Sequence, residues 1–465
     1  MSLLIAVGAL AFLMLAAYRG YSVILFAPVA AMGAVLLTDP HAVGPVFSGL
    51  FMEKMAGFLK LYFPVFLLGA VFGKLIEISG FARAIVASSI ALLGAERAML
   101  AIVLVAALLT YGGVSLFVVV FAVYPFAAEI FRSSNIPKRL IPATIALGAF
   151  TFTMDALPGT PQIQNIIPTT FFRTTAWAAP VLGTLGSVFI LAFGMAYLDW
   201  RRRKAFASGE GYGEHHLNEP VAAVGADVKS VNPLIAVLPL VVVGVASKLL
   251  TLLIPAVYGE KFEAVLTPGG KAVIADVGAM TAIWAVEGAL LLGILVVVIF
   301  AWRAIRVKFA EGSKDAVAGA LLAGTNTASE YGFGAVIAAL PGFLVISDAL
   351  KGIPNPLINE AVTVTTLAGV TGSASGGMSI ALGAMADQFI AAANAAGIPL
   401  EVLHRVAAMA SGGMDTLPHN GAVITLLAVT GLTHVQAYKD IFAITCIKTL
   451  AVAFVIGLYY ATGWV

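Results

Sequence analysis

Charge is scarce in this 465-residue chain: 11% of the residues are Asp, Glu, Lys or Arg, against about 25% in a soluble domain. Such a chain cannot cover its own surface with charge, which excludes an ordinary cytosolic enzyme and a disordered protein. The net charge is only +2, so no strong field draws in nucleic acid. Cysteine is nearly absent: Cys446 stands alone, which excludes a disulfide scaffold and a cysteine-based metal site. There is no GxxxxGK[ST] phosphate loop, no HExxH pair and no nucleophile elbow with a partnered histidine. No arginine-rich helix suggests a voltage sensor, and nothing calls for a cofactor or a metal. What fills the chain instead is apolar residues, at 60%, with 47 glycines and 21 prolines. Both of the latter are more frequent in membrane helices than in soluble ones. The composition is that of an all-α, multi-pass membrane protein.

A membrane span needs about 20 apolar residues. Such runs lie at 3–18, 21–38, 58–78, 175–198, 234–254, 279–302, 315–341 and 437–462, with interrupted runs at 140–170 and 402–430. No Lys or Arg precedes the first run and a second begins at Tyr21, so 3–18 reads as a retained span rather than a cleaved signal. The stretches 97–131 and 357–395 each contain a Gly-rich break, Tyr111-Gly112-Gly113-Val114-Ser115 and Thr371-Gly372-Ser373-Ala374-Ser375-Gly376-Gly377. Each reads as a re-entrant hairpin, two short helices meeting at a tip inside the membrane. The polar stretch Asp199–Asn232 opens with Arg201-Arg202-Arg203-Lys204. It divides the chain into a first half, 1–198, with scaffold spans in 3–95, a linker, 199–232, and a second half, 233–465, with scaffold spans in 234–341. Excess Lys and Arg mark cytoplasmic loops. That rule puts the linker inside, 255–278 outside, and a loop with Arg303, Arg306, Lys308 and Lys314 inside again.

The chain repeats itself. Met154-Asp155-Ala156-Leu157-Pro158 recurs as Met414-Asp415-Thr416-Leu417-Pro418, each copy at the end of an apolar helix and downstream of a Gly-rich break. Asn135-Ile136-Pro137 ahead of the first copy resembles Gly397-Ile398-Pro399 ahead of the second. Lys138 and Arg139 follow the first of these, whereas the second has no basic residue before Arg405. The two copies therefore enter the membrane from opposite sides, giving an inverted-topology repeat, the plan of many secondary transporters.

The breaks are where chemistry concentrates. Pro158, Gly159 and Pro161 follow Asp155 closely, and Pro418, His419, Asn420 and Gly421 follow Asp415. Proline removes a backbone donor and pushes its predecessor out of the α region, so the helix unwinds there. Freed carbonyls and amides are tolerated at that depth only around a protein-enclosed cavity. Each Asp caps the helix fragment after the break, serves function, or does both, since an intramembrane acid is costly to keep. The tips offer Gly112, Gly113, Ser115, Gly372, Ser373 and Ser375, whose helix N-termini present free N–H groups and partial positive charge. Close helix packing through small residues is the alternative use of such a stretch. With Asp155, Gly159, Thr160, Asp415, His419 and Asn420, these tips make a candidate site for an organic anion held by dipoles and hydroxyls. Asn326 and Glu330 stand at i, i+4 on one helix face. Glu330, Asp155 and Asp415 are the candidate proton carriers.

On Thr151-Phe152-Thr153-Met154-Asp155-Ala156-Leu157-Pro158-Gly159-Thr160-Pro161-Gln162, Glu330-Tyr331-Gly332-Phe333-Gly334 and Tyr111-Gly112-Gly113, the sequence resembles the gluconate permease (GntP) family over nearly its whole length. The resemblance implies proton-coupled uptake of gluconate or related hydroxy acids, including 3-hydroxybutyrate, across a bacterial inner membrane. It also implies a scaffold that makes a homodimer, and a transport domain of two opposed hairpins and two broken helices that slides as an elevator. Met154, Phe152, Leu157 and Val114 are candidates for an apolar wall. Sodium coupling or solute exchange would use the same unwound carbonyls. An intramembrane aspartyl protease would need Asp155 and Asp415 as a dyad and lacks the usual GxGD context; a passive channel would have no use for the buried acids.

Overall fold

The computed structural model describes residues 2–19, 21–93, 97–114, 116–214, 217–219, 231–268, 270–343, 352–418 and 420–465. Two long helices form its spine. Pro40–Ile78 contains a π turn at Val46–Phe51, and it runs beside Val277–Ala339. The helices Ser2–Tyr18 and Val23–Thr38 pair with each other, and the second also packs on Val277–Ala339. Pro233–Tyr258 packs on Val277–Ala339 and on Phe81–Leu93. Among the described residues five helices are long and apolar enough to cross a membrane: Pro40–Ile78, Pro180–Ala207, Pro233–Tyr258, Val277–Ala339 and His434–Thr462.

Against this scaffold lies a core of broken elements. The first helical hairpin is Ala98–Tyr111 with Leu116–Ser133, and the second is Pro356–Thr371 with Ala374–Ala395. Both turn on glycines at positive φ, Gly113 at +95° and Gly372 at +65°, where a side chain would be strained. The first broken helix is Ile141–Ala149, a single turn Phe152–Asp155, and Ile163–Phe172. The second is Leu400–Ser411 and Gly421–Thr430. Pro158, Gly159 and Pro161 lie in the first interruption; Gly412, Gly413 and Pro418 lie in the second. The halves interlock: Ile163–Phe172 packs on Ala374–Ala395 and Leu400–Ser411, Leu116–Ser133 on Gly421–Thr430, and Pro180–Ala207 on His434–Thr462.

Hairpin closure is tightest at Gly377, where an added Cβ would overlap the backbone N and Cα of Ala368 on the opposing helix. Overpacking typically costs 1–3 kcal/mol. Gly377→Ala is expected to lower stability by about 2 kcal/mol, while Gly457→Ala, with nothing within 4 Å, leaves it unchanged. Thermal unfolding in detergent reads the difference, and equal melting of the two variants would contradict it.

Three expectations need correction. The predicted spans 279–302 and 315–341 are one continuous helix of 63 residues, so the predicted loop with Arg303, Arg306, Lys308 and Lys314 is helical. Positive charge marks a side of the membrane but does not itself break a helix, and 303–314 holds no proline and one glycine, Gly312. For the same reason Arg201–Lys204 belongs to the helix Pro180–Ala207 rather than to the linker, which departs at Ser208-Gly209. The predicted loop 255–278 contains a small antiparallel hairpin, Lys261–Ala264 with Val273–Asp276.

The described part of the linker is strapped across both halves. Arg139 and Arg201 converge on buried Asp440 at 3.0 and 2.5 Å, and Arg139 also grips Glu210 at 2.6 Å. That guanidinium holds the Glu210 carboxyl below the usual carboxylate range. Lys138 donates to Leu217 O at 2.7 Å, and Asn218 donates to Ala428 O at 2.8 Å.

Candidate functional site

A cavity of about 1140 Å³ lies between the two spine helices and the broken core. Its scaffold wall comes from Val65, Phe66, Gly69, Leu290, Asn326 and Glu330, among others. Its other wall is made by the four interruptions. Gly113 and Leu116 come from the first tip, Pro161–Gln164 from the first broken helix, Thr371–Ser375 from the second tip, and Asn420–Ala422 from the second broken helix. In each case the lining residues include the start of the helix that follows. The first residues of four helices therefore line one cavity, and a helix N-terminus leaves N–H groups without intrahelical partners and carries partial positive charge.

Side chains fix these ends in place. Ser373 Oγ accepts from Gly376 N at 3.1 Å, and Asn420 Oδ1 accepts from Val423 N at 2.9 Å; both are N-caps. The amide of Asn420 also donates to Gly372 O at 2.8 Å, tying the second tip to the second break. Gln162 does the same in the first half, donating to Thr110 O at 2.7 Å, and Tyr111 Oη donates to Pro158 O at 2.9 Å. Both repeats thus use an amide just after the break to hold the tip.

Buried cations complete the breaks. Arg405 is 0% exposed. Its guanidinium donates to Ala178 O at 2.7 Å, Asp155 O at 3.1 Å and Asn165 Oδ1 at 3.1 Å. Lys448 is ion-paired with Asp415 and donates to Phe150 O at 3.1 Å. Cations from the second half therefore satisfy carbonyls freed in the first. Sequence reasoning passed over both, although a Lys or Arg in an apolar run is as costly as an acid there, and that cost was the available signal.

Of the predicted site residues, Gly113, Gly372, Ser373, Ser375, Asp415, Asn420 and Glu330 line the cavity. Asp155, Gly159, Thr160 and Gly112 do not. Asp155 is 1% exposed, with Oδ2 pressed against Gly412; Met154 takes the cavity side instead. Gly159 packs under Trp177, Thr160 Oγ1 donates to Thr153 O at 2.8 Å, and Gly112 abuts Leu240. Ser115 and His419 lie outside the described residues. Of the predicted apolar wall, Met154 lines the cavity while Phe152, Leu157 and Val114 do not; Phe150, Phe121 and Ile163 contribute instead. Three lining residues carry buried oxygens with no hydrogen-bond partner: Gln164 Oε1, Asn326 Oδ1 and Glu330 Oε2. Glu330 sits against Gly376 of the second hairpin. At the far end Lys74 is paired with Glu77 at 3.3 Å and Asp315 at 3.5 Å. Among the described residues, no group of three or more His, Cys, Asp or Glu is placed to hold a metal ion.

Of the two carboxylates considered as a dyad, Asp415 is ion-paired with Lys448 and Asp155 does not line the cavity.

No family model matches the chain. The fold is similar to the crystal structure of the Alcanivorax borkumensis YdaH transporter, with a TM-score of 0.53 and 13% identity over 92% of this chain and 90% of that one. That likeness concerns architecture alone. The "uncharacterized transporter YxjC" of Bacillus subtilis (strain 168) is 58% identical over 475 residues, covering 100% of both sequences. With its apolar helices and this relative, the chain is a multi-pass membrane protein and belongs to the transporter family of YxjC.

Proposed function

We propose that the protein is a secondary transporter that takes a small hydroxy-monocarboxylate into a bacterial cell together with protons. The observation that carries this reading is the convergence of four helix N-termini on one cavity whose lining also bears orphaned oxygens. A carboxylate is stabilised by N-terminal dipoles and amides. Substrate hydroxyls are the donors that Gln164 and Asn326 lack. Gluconate and 3-hydroxybutyrate, the substrates implied by the resemblance to gluconate permeases, both fit that description. Glu330 is the acid that takes the coupling proton: it lines the cavity and has no cation partner among the described residues. Neutralising it lets an anion lie nearby. The broken core, as the moving unit of a homodimer, would carry the loaded cavity past the spine helices.

The test is uptake of radiolabelled gluconate and 3-hydroxybutyrate into proteoliposomes with an imposed pH gradient and no sodium. Accumulation of either above its outside concentration, abolished by a protonophore, is the expected result. Uptake that requires sodium or a preloaded counter-solute would overturn the proton coupling and keep the anion site.

A further inference from the structure

At the two breaks, Lys448 is paired with Asp415, whereas Arg405 bonds the backbone O of Asp155 and Asp155 Oδ2 has no hydrogen-bond partner. Farther out, Asp440 is matched by Arg139 and Arg201, and Lys138 by Glu219 at 2.8 Å. Among the described residues two buried carboxyls besides Asp155 have no ion pair and carry an oxygen without a hydrogen-bond partner. One is Glu330, already placed at the cavity. The other is Glu360, which is 0% exposed and has no hydrogen-bond partner at either oxygen.

Glu360 lies on Pro356–Thr371, which packs against Ala374–Ala395, Leu400–Ser411, His434–Thr462 and Ser2–Tyr18. Of the ionisable groups of those helices, Cys446 and Tyr459 are half-buried, Tyr460 is exposed, and the others described are exposed or bonded elsewhere. Asp387, Glu401, His434 and Lys439 are exposed. His404 is bonded to Thr174 and Asn165, at 2.6 and 3.2 Å. Arg405, Asp440 and Lys448 have the partners given above. The phenol of Tyr438 donates to Thr416 O at 3.2 Å. Among the described residues Glu360 has no ion-pair partner and no hydrogen-bond partner at either oxygen. A carboxylate ion cannot be kept in such surroundings without a donor or a counter-ion, so the group is held here with its proton.

We propose that Glu360 is a second proton-binding site and that two protons, at Glu330 and at Glu360, accompany each anion; this rests on the symport reading above. The helix that carries Glu360 ends at Thr371–Gly372, which lines the cavity and is tied to Asn420. The same helix packs on Ser2–Tyr18, whose partner Val23–Thr38 belongs to the spine side. Sliding the broken core along the spine would change how this helix packs on Ser2–Tyr18, and that change is the proposed way in and out for the proton.

The test is the limiting accumulation ratio in proteoliposomes at a pH gradient of one unit, with the membrane potential clamped at zero. Each coupled proton then multiplies the ratio tenfold, so two give about 100-fold and one about tenfold. Wild-type protein is expected to reach about 100-fold and Glu360→Gln about tenfold. A wild-type ratio of about tenfold, or a Glu360→Gln variant that still reaches about 100-fold, overturns the proposal. Should Glu360→Gln fail to fold, the wild-type ratio still decides. Glu360→Asp, which keeps the carboxyl, is then expected to retain the wild-type value, and a fall to one proton would count against the site. No accumulation under any pH gradient would overturn the symport reading itself, a different failure from a wrong stoichiometry.

Discussion

Lys448→Met is expected to be the most damaging single change in the second half. The ammonium is 2% exposed and is the ion-pair partner of Asp415. Removing one member of a buried pair leaves an uncompensated charge and costs about 3–5 kcal/mol. The lost donor to Phe150 O adds to this. Thermal unfolding of the detergent-purified protein should show a large drop in melting temperature. Lys448→Met combined with Asp415→Leu removes both charges and should recover most of the loss, because an apolar replacement for a whole pair is often neutral. Recovery of stability without recovery of uptake is expected, since Asp415 lines the cavity. A single variant that melts with the wild type would show that the pair contributes nothing.

Arg405→Ala strikes the first half from a distance. The guanidinium serves Ala178 O, Asp155 O and Asn165 Oδ1 at once. Each buried acceptor left without its donor costs about 1–3 kcal/mol; Asn165 Oδ1 keeps its contact with His404 Nε2, so the loss falls on Ala178 O and Asp155 O. Arg405→Lys should rescue only part of this, because a single ammonium cannot reproduce the fork that reaches all three acceptors. The first break should loosen, and anion binding by isothermal titration should weaken together with the melting temperature. Normal melting with weakened binding would instead place Arg405 in ligand recognition alone.

Much of the architecture follows from glycine and proline, which act locally and can be read one residue at a time. Gly113 and Gly372 turn the hairpins because they reach positive φ, and Pro158 and Pro418 lie in the interruptions of the broken helices. Rotation about those interruptions is another matter. Met154 and Asp155 are neighbours in sequence, yet one faces the cavity and the other is pressed against Gly412. A single turn between two breaks has no long apolar face to fix its orientation, so the partner across the interface decides. The cations escaped notice because Arg405 and Lys448 act on carbonyls remote in sequence. Glu360 escaped because an acid five residues into a helix that starts at Pro356 looks like a partner of the N-terminal dipole.

The crossed cations also bear on how the chain is made. Proteins emerge from the ribosome N-terminus first, and early segments begin to fold while later ones are still being synthesised. The carbonyls of Asp155, Ala178 and Phe150 take donors from residues 405 and 448. Translation has to pass the linker and most of the second half before those donors exist. Until then those carbonyls lack the donors they have in the folded chain. The first 200 residues wait in the bilayer as an unfinished assembly, and the last span, arriving with Lys448, closes the structure.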